Sequence, residues 1–407
     1  MHLVHHAAVA ILLLASALTA QGKNLLFYGN SFSFFNGGVA QLVRAIAIDA
    51  GLPAPTYQER LFAGQDLHYH ATNPAQIAAI GNFLPAGQHW DHVIMQGLST
   101  EATQVLGHPA LFVTDAITIL GNVRNHSPAA KGVMYQTWAR AQGHSFYPTY
   151  FANPLVMHRE IRANYRNAIP ALEAVHGAGC AVNAAVGDCA ALYEFSPTIY
   201  FTDLHHPANA LTVMASMCLF TAIYSQLVSD ITPHFSPASP LGAILNNYGI
   251  NAAAWQRLAG IADQCAAPAL RPHPGSGDHL LLETGTQPNL ITACPRKTMT
   301  VGSLAQVRIS SKNGVYSAAP AFLLAQLFPT GQPPVPTPLL PEIAVDLGAM
   351  SVLVATPDLQ SPLSLTTLMP FTVLGASILV QGVALAPSTA TGNPTFTTTD
   401  AHELVFQ

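Results

Sequence analysis

Over the first two thirds of the chain, short apolar runs alternate with amphipathic stretches. Residues 24–28 (Asn-Leu-Leu-Phe-Tyr) read as a buried strand ending at Gly29. After Gly37-Gly38, Val39, Leu42, Val43 and Ile46 recur at the spacing of one helix face. His92-Val93-Ile94-Met95 and Gly132-Val133-Met134-Tyr135 read as further buried strands, and 159–176 and 208–227 as long helices. Strands alternating with helices predict a parallel α/β sheet, whose ligands bind beyond the carboxyl ends of its strands.

The pattern changes near residue 265. Residues 266–278 (AAPALRPHPGSGD) are rich in Pro and Gly and read as a linker. Short strand-like runs follow at 299–309, 322–328, 343–347, 352–355, 378–385 and 404–406, separated by clusters such as GQPPVPTP. This spacing predicts an all-β, sandwich-like unit. The chain has 407 residues, more than one core usually serves. The expected division is a leader over 1–21, an α/β domain over 22–265, a linker over 266–280 and a β-sandwich accessory domain over 281–407.

The leader is expected to be a signal peptide. Its apolar run, 7–18 (AAVAILLLASAL), is shorter than the roughly 20 residues that span a bilayer. The preceding MHLVHH has no Lys or Arg, and a buried first helix is the alternative. No later stretch is long and apolar enough to span a membrane, so a secreted or periplasmic protein without stable membrane insertion is expected. Charged residues are 9% of the chain, against about 25% in an average domain. Fifteen Lys+Arg against 20 Asp+Glu leave no basic footprint for nucleic acid. Of the five cysteines, Cys180 and Cys189 bracket a strand-like run that would hold them apart, and Cys218 lies in an apolar helix. Cys265 and Cys294 flank the linker and form the one pair considered for a disulfide.

Three segments carry candidate chemistry. Phe27-Tyr28-Gly29-Asn30-Ser31-Phe32 places a serine directly after a strand, although Asn and Ser are also ordinary turn and cap residues. Asp203-Leu204-His205-His206-Pro207 precedes a helix. A serine needs a base to take its proton, and the base needs an acid to hold its tautomer. Asp203 and His206, three residues apart, fit those roles; they also fit the surroundings of a helix cap. Gly64 and Gln96 are candidate oxyanion donors, one through its backbone N–H and the other through its amide. As alternatives, Gly64 is a turn glycine and Gln96 a polar strand end.

The order Gly-Asn-Ser, then Gly, then an amide after a strand, then Asp-x-x-His-Pro resembles the SGNH/GDSL hydrolase superfamily over about residues 23–230. The similarity is to the branch whose first block reads G-N-S-[FY]. Tyr135-Gln136-Thr137-Trp138-Ala139-Arg140 and Val186-Gly187-Asp188 are also similar to that branch. The resemblance implies a flavodoxin-like three-layer α/β/α fold with no metal or cofactor. It implies Ser31 as nucleophile and oxyanion donor, Gly64 as second donor, His206 as base and Asp203 as its orienting acid. Asn30 stands where the superfamily usually has Asp, and Gln96-Gly97 replaces the usual third-block G-x-N-D.

His68-x-His70 and His205-His206 could suggest zinc, but no H-E-x-x-H or comparable spacing accompanies them. His70 and Trp138 are candidates for the substrate wall, with buried structural roles as the alternative. The expected activity is hydrolysis of carboxylic esters through an acyl-serine, on a small-molecule or acylated-polymer substrate such as a carbohydrate acetate or a lipid ester. The competing expectation is a non-catalytic surface-binding protein on a degenerate hydrolase scaffold.

Overall fold

Strands that are covered on both faces need apolar residues at every position. β1 (Asn24–Gly29) and β3 (His92–Met95) are buried throughout, in line with their unbroken apolar runs. With β2 (Thr56–Leu61), β4 (Lys131–Tyr135) and β5 (Ala181–Ala184) they form a parallel sheet in the order β2-β1-β3-β4-β5. β2 has no apolar signature because it is an edge strand, TYQERL, only partly covered. The computed structural model describes residues 21–287, 291–336 and 339–407. The expected signal peptide lies almost wholly outside the described residues.

Ten helices in the described residues flank and cap this sheet. They are α1 (Ser31–Phe34), α2 (Val39–Asp49), α3 (Leu67–Thr72), α4 (Pro74–Ala79), α5 (Pro109–His126), α6 (Pro154–His176), α7 (Val186–Leu192), α8 (Asn209–Tyr224), α9 (Pro240–Asn247) and α10 (Ala252–Gln264). α2, α8, α9 and α10 pack together on one side, and α3, α5 and α6 on the other, giving three layers. α8 is buried all round between Leu211 and Thr221, as befits a helix apolar on every face. α6 starts earlier than its apolar pattern: the Asn153 side chain accepts the Val156 N–H at 3.1 Å, and Pro154 occupies the first turn. No helix of the described residues is long and apolar enough to cross a membrane.

The C-terminal unit holds two sheets. One has the order β10-β9-β12-β14-β7, with β13 beside β12; the other is β11-β8-β6. Their strands are β6 (Leu280–Gln287), β7 (Arg296–Met299), β8 (Leu304–Ser311), β9 (Ala321–Pro329), β10 (Ser351–Thr356), β11 (Leu363–Leu368), β12 (Ala376–Ala384), β13 (Thr397–Thr398) and β14 (His402–Phe406). Leu282 and Ile309 from one sheet meet Leu323, Val380 and Phe406 from the other in a shared core, a sandwich arrangement. The run 343–347 is not a strand. Ile343, Ala344 and Val345 form a buried plug, and the Gln381 amide takes the place of a neighbouring strand. It accepts the Ala344 N–H at 2.8 Å and donates to Glu342 O at 2.7 Å.

Between α10 and β6 the chain has one short turn but is not a loose tether. Arg271, Ser276, Asp278 and His279 are buried. Arg271 pairs with Asp400, beside β14, and Asp400 also accepts the Gly275 N–H at 2.8 Å. Arg162 of α6 donates to Gly277 O at 2.7 Å, and Asn313 donates to Ala191 O at 2.7 Å, joining the two units. Cys265 and Cys294 are not bridged: all five thiols are free. The strand after Cys180 ends at Ala184, so α7 carries Cys189 to within 3.4 Å of the Cys218 sulfur.

Arg271→Ala should strand a buried carboxylate at Asp400. Removing one partner of a buried pair costs about 3–5 kcal/mol. A fall of that size in the free energy of urea unfolding is expected; a fall below about 1 kcal/mol would show that the pair does not hold the C-terminal strands.

Candidate active site

β1 lies between β2 and β3, so the chain leaves its carboxyl end at the point where the order of the sheet reverses. Ser31 sits there, opening α1. A Cβ on Gly29 would lie 2.8 Å from both Gln96 Oε1 and Ser33 Oγ, so only glycine admits this close approach of the β1 and β3 ends. Asn30 is the N-cap: its side-chain oxygen accepts the Phe32 N–H at 3.2 Å while its amide donates to Gln65 O at 2.8 Å. The Ser31 N–H has no acceptor among the described residues.

Ser31 Oγ lies 2.8 Å from His206 Nε2, and His206 Nδ1 lies 2.6 Å from Asp203 Oδ2. Asp203 Oδ1 accepts the backbone N–H groups of His205 and His206 at 3.0 and 2.9 Å. Burial pushes the Asp203 carboxyl up, but the His206 ring and these two N–H groups outweigh it and bring it down to about 2. An anionic Asp203 keeps the proton on Nδ1, which leaves Nε2 free to accept the Ser31 hydroxyl.

The base loop is braced from three directions. Leu204 adopts a left-handed conformation (φ 62°), and its carbonyl accepts the Ala141 N–H at 2.9 Å. The Trp138 indole N–H donates to His205 O at 3.0 Å. The His206 ring stacks on Phe35 at 4.5 Å and 11° and meets the Phe32 ring edge-on at 5.6 Å. Asn36 Nδ2 donates to Pro207 O at 2.7 Å and Thr212 Oγ1 at 3.1 Å, tying the serine loop to the base loop. His205 does not face the serine; its Nδ1 lies 3.3 Å from Asp203 O. Pro207 bridges to Tyr200 instead of opening α8, whose cap is Ala208.

Three expected roles are corrected by this geometry. The Gln96 amide is fully buried and has no free donor for an oxyanion. Its Nε2 donates to Asn30 Oδ1 at 3.0 Å and to Gly97 O, while Oε1 accepts from Asn30 N at 3.0 Å and Ser33 Oγ at 2.9 Å. His70 is 2% exposed, too buried to touch substrate, and its Nε2 donates to Gly29 O at 3.1 Å. Burial lowers it to about 4, so it is neutral. Trp138 is 0% exposed and stacks flat on Phe32 at 4.5 Å, backing the site instead of lining it. Gly64 is exposed with φ 71°, and its N–H meets no acceptor among the described residues. His68 turns to Asp115 at 3.2 Å, so the H-x-H pair diverges. Asp203, His205 and His206 lie close enough to share a cation, but Asp203 and His206 are already bonded to each other, and His206 to Ser31.

One supporting residue had no signal in the sequence. Glu101 accepts the Leu67 N–H at 3.1 Å and the Leu98 N–H at 2.9 Å, joining the loop that carries Gly64 to the loop after β3. It is a single acid in an unpatterned loop, and only the fold brings these N–H groups to it. Burial pushes its carboxyl up to about 8.

No family model matches the sequence, and no curated protein matches it. Among solved structures, the chain is similar to a DUF4886 family protein from Bacteroides uniformis, with 17% identity and a TM-score of 0.47, over 60% of this chain and 95% of that one. It is similar to a protein from Slackia heliotrinireducens provisionally described as an SGNH hydrolase, with 20% identity and a TM-score of 0.38, over 50% of this chain and 100% of that one. It is also similar to a family 3 carbohydrate esterase from Talaromyces cellulolyticus, with 15% identity and a TM-score of 0.37, over 52% and 100%.

Gln96→Ala should remove the partners of the Asn30 N–H and the Ser33 hydroxyl. Each stranded buried group costs about 1–3 kcal/mol. A clear loss of stability in urea unfolding should therefore accompany any loss of turnover; a kcat effect with unchanged stability would return Gln96 to the role of oxyanion donor. Glu101 favours folding while protonated, because its folded pKa is raised. That contribution is full below 4.5, the ordinary value, and is lost as pH rises to about 8. Glu101→Gln should flatten the stability-against-pH curve across that window, and an unaltered slope would show that another group sets it.

Proposed function

We propose that this protein is an exported serine esterase that hydrolyses carboxylic esters through an acyl-serine intermediate. The observation that carries the reading is the unbroken chain Ser31 Oγ–His206–Asp203, at 2.8 and 2.6 Å, at the switch point of a parallel sheet. In the forward step Ser31 Oγ attacks the acyl carbonyl carbon as His206 Nε2 takes the hydroxyl proton. The protonated imidazole faces the Asp203 carboxylate, which stabilises it. Collapse of the tetrahedral intermediate expels the alcohol, which receives the proton from His206. Water then attacks the acyl-serine with His206 again as base, releasing the acid and restoring Ser31.

The developing oxyanion needs N–H groups with no other partner. The Ser31 and Gly64 backbone N–H groups meet that condition, and such a donor is typically worth about 3–4 kcal/mol of barrier. With Gln96 committed elsewhere, the hole is a backbone one. Apart from the hydrolytic water, the groups named in these steps are side chains and backbone of the chain. Export is inferred from the short apolar run at 7–18, and an acylated carbohydrate, lipid ester or other polymer ester remains the substrate class for this reading.

Ser31→Ala should keep the fold, lose labelling by a fluorophosphonate and lower kcat on p-nitrophenyl acetate by several orders of magnitude. Near wild-type turnover in the folded variant would overturn the assignment. His206→Ala should likewise lose orders of magnitude in kcat, while His205→Ala should lose at most about tenfold. The reverse order would move the base to His205.

A further inference from the structure

Arg140 is a buried cation with no ion-pair partner among the described residues, placed one aromatic ring away from the nucleophile. The loop after β4 carries it to the carboxyl edge of the sheet, where the residue is 9% exposed. Its Cζ lies 5.6 Å from the Phe32 ring centroid and 5.3 Å from that of Phe146. Phe32 directly follows Ser31 and touches the His206 ring. The Arg140 Nε and Nη1 atoms are buried and have no acceptor among the described residues. Ring contacts offset part of the desolvation of a guanidinium but give its N–H groups nothing to bond.

Other deeply buried cations each have an ion-pair or hydrogen-bond partner, although Arg271 Nε is also without an acceptor among the described residues. Arg162 has Asp188, Arg271 has Asp400, and Lys297 donates to Thr284 and Thr292. The carboxylate whose charge reaches Arg140 is Asp203, which is committed to His206. On the same side stand His144 and His205, whose rings lie 6.3 Å apart. Burial first, and then the charge of Arg140, holds both below the usual histidine range. Burial lowers Arg140 itself only to about 10, so it stays charged at neutral pH. The two histidines are therefore neutral neighbours at neutral pH, Arg140 is the cation of this flank, and Asp203, the acid that acts on it, is committed to His206.

We propose that Arg140 is a specificity-determining residue that receives a carboxylate borne by the substrate, so that the preferred esters are anionic. The inference rests on the esterase reading above and narrows its substrate class. A substrate carboxylate reaching the guanidinium would give this cation the charge-assisted hydrogen bond and the counter-charge that it lacks among the described residues. The anion belongs either to the acyl part or to the alcohol part of the ester, and matched probes separate the two.

The test compares p-nitrophenyl hemisuccinate with p-nitrophenyl butyrate, and 4-acetoxybenzoate with 4-acetoxybenzamide. Wild-type protein should favour the anionic member of one pair by about tenfold or more in kcat/KM, mainly through KM. Arg140→Gln should bring that ratio close to one, and Arg140→Lys should restore part of it. No anionic preference in either pair, or a preference that survives Arg140→Gln, would overturn the proposal. Should Arg140→Gln fail to fold, wild-type protein decides: succinate or 4-hydroxybenzoate should inhibit p-nitrophenyl acetate hydrolysis competitively, and butyramide should not. Equal inhibition by charged and neutral compounds would overturn it. If wild-type protein hydrolyses no ester and takes no fluorophosphonate label, the esterase reading itself fails; if neutral esters are cleaved without anionic preference, only the role of Arg140 fails.

Discussion

The arrangement depends on one buried amide. Gln96, at the end of β3, reaches across to the end of β1, accepts the Asn30 N–H and the Ser33 hydroxyl, and donates to the Asn30 side chain. Because it is wholly buried, its hydrogen bonds have no competing water, and leaving any of them unmade would be expensive. Asn30 can then cap α1 in a single conformation, and Ser31 is held with its hydroxyl toward His206. Gly29 makes the bracket possible, since a side chain there would collide with the amide it must accommodate.

Asp203 and His206 are set by contacts of a different kind. Asp203 organises its own turn by accepting two backbone N–H groups, so the acid that orients His206 also shapes the loop that presents it. Phe35 and Phe32 restrict the imidazole by stacking and by edge contact, and Asn36 locks the two loops together. His206 is therefore held by the serine's own loop as well as by its acid. Pre-organisation of this kind keeps a nucleophile and a base within reaction distance before substrate arrives.

The β unit meets the α/β unit through polar groups. Asp188 on α7 accepts from Gln136 at 3.1 Å and from Arg162 at 3.2 Å, and Arg166 stands at 3.4 Å. Burial pushes this carboxyl up, but Arg162, His158 and Arg166 outweigh it and hold it well below the usual range. Arg162 then donates onward to Gly277 of the connecting segment. Charges buried this way need their partners in place, so the connection and the packing of α6 and α7 are mutually dependent.

Local patterning determined much of this protein. β1, β3 and β4 were legible because strands covered on both faces must be apolar throughout, and α8 because a buried helix must be apolar on every side. That Ser31, Asp203 and His206 come together could be anticipated because their signals are local: a serine after a strand, an acid three residues before a histidine. The edge strand β2 and the plug at 343–347 were not legible, since edge exposure and a side-chain substitute for a strand leave no periodic trace. Nor were the roles of Gln96, His70 and Trp138, which depend on partners about 40 to 70 residues distant, such as Asn30, Gly29 and His205. Hydrogen-bond satisfaction and burial are properties of the assembled fold. The sequence therefore determined which residues could do the chemistry, and the tertiary structure alone decided which polar groups were already spent on holding the site and which remained free to act.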